Sequence, residues 1–130
     1  MTEPIWVRDE IVLAVHNRQL AEHGGGTGVR DKGLLASALD RPKNLYHYEG
    51  EETGIDRIAA AYAFGIARNH PFVDGNKRTA FVVCLLFLHL NGYSVTASQA
   101  EKYQAFLKLA AGSISEAELS GWLRDNMVRI

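Results

Sequence analysis

Ten consecutive residues carry most of the chemistry available to this 130-residue chain: His70-Pro71-Phe72-Val73-Asp74-Gly75-Asn76-Lys77-Arg78-Thr79. Imidazole is the one side chain that ordinarily titrates near neutrality, so His70 suits taking a proton from a hydroxyl group. Asp74 offers hard oxygen ligands of the kind Mg²⁺ accepts. Gly75 removes a Cβ where backbone has to approach a ligand closely, and Asn76 adds an amide. Lys77 and Arg78 follow as an apolar helix begins. At such a helix start the free N–H groups carry about half a positive charge, which favours an anion. Two cations in the first turn oppose that dipole, and a bound anion removes the conflict. Together these residue types, in this order, describe a phosphate site.

The flanking sequence predicts two helices that hold this segment between them. Ile55, Ile58, Ala59, Tyr62, Ala63 and Ile66 follow helical spacing and predict a helix from about Ile55 to Asn69. Pro71 predicts its break near Asn69 or His70, because a residue before proline is pushed out of the helical region. The next helix is expected from Gly75 or Asn76 to Leu90. It is apolar nearly all round, as a helix in the centre of a bundle is, and Asn91-Gly92 ends it. Nearer the amino terminus, Asp9 to about Glu22 reads as a helix with Ile11, Ala14, Val15 and Leu20 supplying its apolar spacing, stopped by Gly24-Gly25-Gly26. Asp31 to Asp40 reads as a short helix ended by Pro42. Lys43 to Gly54 is expected to be a loop or a short hairpin flap, and Tyr93-Ser94-Val95 an extended connector. Ser98-x-x-Glu101 and Ser115-x-x-Glu118 are capping-box sequences that open helices to about Ala111 and Met127. The expected fold is all-α, a compact helical bundle in one domain over residues 1–130, with the chemical loop between two central helices.

Simpler readings compete residue by residue. Asp74 and Asn76 are both good N-caps, and Asp-Gly is a common turn. Phe72 reads as an anchor that packs the loop onto the core. The remaining histidines, His16, His23, His47 and His89, lack such neighbours and read as surface or helix-edge residues. Arg30 and Asp31 read as an ion pair tying the first helix to the bundle. A cap needs only one side chain, however, and has no use for His, Asp, Asn, Lys and Arg together.

Composition narrows the function classes. A formal net charge of −1 argues against a non-specific nucleic-acid binder, which carries a basic excess. Cys84 is the single cysteine, inside an apolar run, so no internal disulfide forms and a reducing cytoplasm fits. The first ten residues contain Glu3, Asp9 and Glu10 and no apolar signal core. The longest apolar run, Ala80 to Leu88, has nine residues, well short of the ~20 that span a bilayer.

The ten-residue segment resembles the active-site motif of the Fic/Doc superfamily, His-Pro-Phe-x-Asp/Glu-Gly-Asn-x-Arg. Most members that transfer AMP have glycine between the Asn and Arg, whereas this chain has Lys77, as in the Doc (death-on-curing) branch. Gly28-Val29-Arg30-Asp31-Lys32-Gly33-Leu34-Leu35, with Ala38 and Arg41-Pro42, is similar to the early segment of Doc-like toxins, and Leu85-Leu86-Phe87-Leu88 with Asn91-Gly92 is a third match. The resemblance implies His70 as the catalytic base, Asp74 as the Mg²⁺ ligand, and Gly75, Asn76, Lys77 and Arg78 as the residues that hold ATP phosphates. The planar fork of Arg78 suits a bidentate phosphate clamp. It further implies phosphate transfer to a threonine of a translation elongation factor, and a small antitoxin partner that folds onto the toxin. Two alternatives stand beside it: a Fic-type AMP transferase that tolerates lysine, and a catalytically silent binding module.

Overall fold

A computed structural model describes residues 3–130; Met1 and Thr2, part of the stretch read for an export signal, lie outside the described residues. Six helices follow in order: α1 (Asp9–His23), α2 (Lys32–Glu49), α3 (Ile55–Asn69), α4 (Asn76–Leu90), α5 (Gln99–Ala111) and α6 (Glu116–Asn126). Two three-residue strands, β1 (Tyr93–Val95) and β2 (Met127–Arg129), complete the chain. The all-α expectation holds, and no described helix is long and apolar enough to cross a membrane.

Helix α3 is the axis. Eleven of its residues are buried, from Ile55 to Ala67. Its alanines and Gly65 keep it thin, so α2, α4, α5 and α6 all pack around it. Helix α4 lies against α3 and buries Val83, Cys84, Phe87 and Leu88 in the same core. Helix α1 covers α4 with a stripe of Val12, His16 and Leu20, spaced four apart. The stripe expected through Ile11, Ala14 and Val15 is therefore displaced by one residue: Ile11 and Val15 are half-buried and Ala14 is exposed.

Two expectations for the second helix are corrected. Helix α2 passes through Pro42 and continues to Glu49, and residues 50–52 form one 3-10 turn, so Lys43 to Gly54 is neither loop nor hairpin. Proline in a helix interior removes the hydrogen bond to the carbonyl four residues back, here Ala38. Packing outweighs that loss. Ala38, Leu39, Pro42 and Tyr46 form one buried face of α2, and Trp6 lies edge-on to Tyr46 with ring centroids 5.9 Å apart. Helix α3 comes close at this point: a Cβ on Gly65 would stand 3.0 Å from the Ala38 carbonyl oxygen. Glycine there lets the two backbones meet beside the carbonyl that Pro42 leaves without its helical partner.

Both capping boxes form as expected, at Ser98 with Glu101 and at Ser115 with Glu118. The extended connector is a strand. β1 pairs antiparallel with β2 in the register Tyr93↔Arg129, Ser94↔Val128 and Val95↔Met127. A buried hydrogen bond from Ser120 Oγ to Asp56 Oδ2, 2.7 Å, ties α6 to the first turn of α3.

Candidate active site

Helix α3 ends at Asn69 because His70 turns into the left-handed region, φ 48° and ψ 54°. Among the described residues His70 is the only non-glycine with positive φ. Such a conformation costs on the order of 1–3 kcal/mol and persists only where its surroundings impose it. They do so here. Arg30 Nε donates to the His70 carbonyl at 2.8 Å, and its Nη2 donates to the Asn69 carbonyl at 3.0 Å. The backbone N–H groups of Arg30 and Asp31 both donate to the Pro71 carbonyl, and Val73 N–H donates to Gly28. The segment before α2 thus runs alongside the loop like a short strand, with Val29 opposite Phe72.

This corrects the expected Arg30–Asp31 ion pair. Arg30 caps the carboxyl end of α3 through its last carbonyls, where a cation complements the helix dipole. Asp31 accepts instead from Leu34 N–H at 2.9 Å and is the N-cap of α2.

Phe72 anchors the loop, fully buried, which is worth roughly 2–3 kcal/mol. Its ring stacks on His16 with centroids 3.8 Å apart and planes 10° from parallel. His16 is therefore not a surface residue. It is 2% exposed, and its Nε2 lies 2.8 Å from the Asp74 carbonyl oxygen. A carbonyl oxygen can only accept, so Nε2 carries the proton of that bond. Burial of His16 follows from its place four residues after Val12 and four before Leu20. His47 and His89 are exposed, as expected.

Neither alternative N-cap caps α4. The Asp74 carboxylate turns the other way and accepts the Gly26 N–H through Oδ2 at 2.6 Å. Asn76 is buried, and its amide accepts from Phe72 N–H at 2.9 Å and donates to the Phe72 carbonyl at 3.0 Å. The side chain of Asn76 thereby closes the loop on itself instead of reaching outward. The N-cap position falls to Gly75, whose φ of 79° excludes most other residues and which has no side chain to offer. The first helical bond is Thr79 N–H to Gly75 C=O. The backbone N–H groups of Asn76, Lys77 and Arg78 are left without helical acceptors, as at any helix start.

These groups face an open cleft of about 520 Å³. His70, Asp74, Gly75, Asn76, Lys77 and Arg78 all line it, so the structure brings every sequence-predicted site residue to one cavity. Its opposite wall comes from the end of α1, with Gln19, His23, Gly24 and Gly25, and from Tyr103 of α5. Lys77 and Arg78 are exposed, and among the described residues neither has a carboxylate within ion-pair distance. Arg78 Nη1 approaches His23 Nε2 at 3.5 Å. A helix dipole and two cations therefore point into one space with no acidic side chain paired to them.

The glycine run does more than stop α1. A Cβ on Gly25 would meet the Asp74 side chain at 3.0 Å, and one on Gly26 would meet Val73 at 2.9 Å. The chain has to be bare there for the Asp74 carboxylate to reach the Gly26 amide. Among the described residues no group of three His, Cys, Asp or Glu gathers into a metal cage. Asp74 is exposed and keeps one oxygen without a protein partner. That donor set fits Mg²⁺ held through one carboxylate, with phosphate and water completing its shell.

The sequence pattern of the Fic/DOC family matches residues 6–88, from the residue that packs on Tyr46 through the whole loop and most of α4. The chain belongs to the Fic/DOC family. Over 118 residues it is 34% identical to a protein called Protein kinase doc, from Escherichia phage P1, covering 91% of this chain and 92% of that one. It is 45% identical over 75 residues to a protein called Toxin Doc, from Mycolicibacterium smegmatis, covering 57% of each. The family pattern thus spans both helices that hold the loop, the Arg30 segment that clamps it and the α1 stripe beneath it. Sequence reading missed His16, Gln19, His23, Gly24, Gly25, Gly26 and Tyr103 as parts of this site. Only His16 left a local signal, its helical spacing from Val12 and Leu20.

Proposed function

We propose that this Fic/DOC protein is a Doc-like toxin that phosphorylates a hydroxyl group, on a threonine of a translation elongation factor, using ATP and Mg²⁺. The names of its two relatives, a protein kinase and a toxin, support this reading. The observation that carries it is the start of α4: free N–H groups, Lys77 and Arg78 converge beside His70 with no acidic side chain paired to them. A polyanion of three linked phosphates matches that field.

His70 accepts the proton of the incoming hydroxyl. The hydroxyl oxygen forms a bond to the γ-phosphorus while the bridging bond to the β-phosphate breaks, and ADP leaves with the electron pair of that bond. Phosphoryl transfer asks a protein chiefly for positioning and charge stabilisation. Arg30 and Asn76 hold the loop, Lys77 and Arg78 balance phosphate charge, and the α4 N–H groups bind phosphate oxygens. Mg²⁺ bound at Asp74 supplies further charge neutralisation of the phosphates. Lys77, in place of the glycine of AMP-transferring relatives, fills space beside the loop and favours the terminal phosphate at His70. A small antitoxin restrains the activity in trans.

The test is incubation with translation factor, Mg²⁺ and ATP labelled at either the γ or the α position. Label is expected on the factor from γ-labelled ATP and lost in His70→Ala. Label arriving only from the α position would replace this reading with AMP transfer. Modification undiminished in His70→Ala would remove the catalytic base.

A further inference from the structure

Beyond the phosphate cleft the trough continues into a second cavity of about 260 Å³. The two share Gln19, His23, Arg78 and Tyr103 as common walls. What the second cavity adds is apolar, Phe81 and Val82 of α4, together with the amide of Gln99 at the start of α5. Phe81 is held by Phe106, with ring centroids 4.9 Å apart at 61°. The Arg78 guanidinium lies 5.6 Å from the centre of the Tyr103 ring, so one arginine borders both cavities.

Resting on the nucleotide reading above, we infer that this aromatic cavity is the nucleoside subsite, with the base against Tyr103 and Phe81 and its edge met by Gln19 and Gln99. A nucleotide is polyanionic at one end and a flat, π-faced heterocycle at the other. The trough has the same polarity, cationic with free N–H groups at residues 75–78 and aromatic at residues 81 and 103. Phe81 lies five residues beyond Asn76, about 7.5 Å along the helix axis, a separation suited to a short chain of phosphates and a sugar. Each amide presents both a donor and an acceptor, as the edges of bases do. Seating the base at the Phe81 end leaves the far end of the phosphate chain for His70, whose side chain lines only the first cavity. Tyr103 also acts as a platform: a ring that already borders a guanidinium can carry a base on its open face, and it is 39% exposed.

Calorimetric titration of the full chain with ATP and with inorganic tripolyphosphate, both with Mg²⁺, tests this. Wild-type protein binds ATP the more tightly. Tyr103→Ala weakens ATP roughly 5- to 150-fold, the range for loss of one base–aromatic stack, and leaves tripolyphosphate within twofold. Tyr103→Phe, which keeps the ring, restores ATP affinity. ATP binding that is insensitive to Tyr103→Ala, or that falls in parallel with tripolyphosphate, overturns the subsite while leaving the phosphate reading intact. Wild-type protein that binds neither ligand overturns the nucleotide reading and this assignment with it.

Discussion

Replacing His16 separates the two ways in which a buried histidine supports the loop without lining the cleft. His16→Phe keeps a ring over Phe72 but removes the donor to the Asp74 carbonyl, 2.8 Å away. That bond is part-buried, so losing its donor costs about 1–1.5 kcal/mol. His16→Gln can keep a donor but loses the stack, worth about 0.5–1.5 kcal/mol. His16→Ala loses both and leaves a cavity at a site only 2% exposed, for a total of about 3–4 kcal/mol. Domains of this kind have roughly 5–15 kcal/mol of stability, so all three variants are expected to fold. Urea unfolding at constant m-value reads the series. The expected order of stability is wild type, then Gln, then Phe, then Ala. ATP affinity is expected to fall with loss of the donor, in Phe and Ala, more than in Gln, because the Asp74 carbonyl precedes the N-cap of α4. An Ala variant within about 0.5 kcal/mol of wild type, the range of ordinary surface changes, would refute the buried stack. A Phe variant with undiminished ATP affinity would refute the link from His16 to the phosphate site.

Arg30→Met keeps the aliphatic stem and removes both hydrogen bonds to the end of α3. Because this guanidinium is exposed, stability is expected to fall by no more than about 1 kcal/mol, whereas the rate of transfer from γ-labelled ATP falls at least tenfold as His70 loses its imposed backbone. An unchanged rate would show that the left-handed turn holds without the clamp. At alkaline pH the stability is expected to decline. Burial pushes the Tyr62 hydroxyl from 10 up to about 12, overcoming the Val7 hydrogen bond that lowers it, with a smaller rise from Asp9. The unfolded chain releases that proton near pH 10 while the native state keeps it, so above pH 10 the native state binds more protons and stability falls with pH, by about 2–3 kcal/mol at pH 12. Burial also pushes the Cys84 thiol up from 9, with the same sign. Urea midpoints measured from pH 8 to 11.5 should begin to drop near pH 9, and in Cys84→Ala near pH 10; a flat profile to pH 11.5 would contradict both.

Local sequence sufficed wherever the determinant lay within a turn or two of helix. Pro71 marked the end of α3 because its ring keeps the residue before it out of the right-handed helical region, although the left-handed turn that His70 takes is held by Arg30. Ser98 with Glu101 and Ser115 with Glu118 opened α5 and α6 because each box closes on itself. The loop chemistry was legible for the same reason: ten adjacent residues place an imidazole, a carboxylate and two cations at a helix start, whatever packs around them. Pro42 was misleading because its local cost is real, and only the close approach of α3 at Gly65 outweighs it. The N-cap reading of Asn76 failed because the partner of its side chain, the Phe72 backbone, depends on how the loop folds back.

By itself, then, the chain determined which helices flank the loop, where they start and stop, and which side chains meet at the start of α4, since these follow from spacing, capping and backbone restriction within a few residues. Tertiary structure alone decided that Arg30 holds the His70 carbonyl, that His16 lies beneath Phe72, that Gly26 takes the Asp74 carboxylate, and that Tyr103 completes the trough. Each of those joins residues about 25 to 60 positions apart. No periodicity encodes such pairs, because they arise only when α1, α2 and α5 close around the α3–α4 core and bury what the individual helices leave exposed.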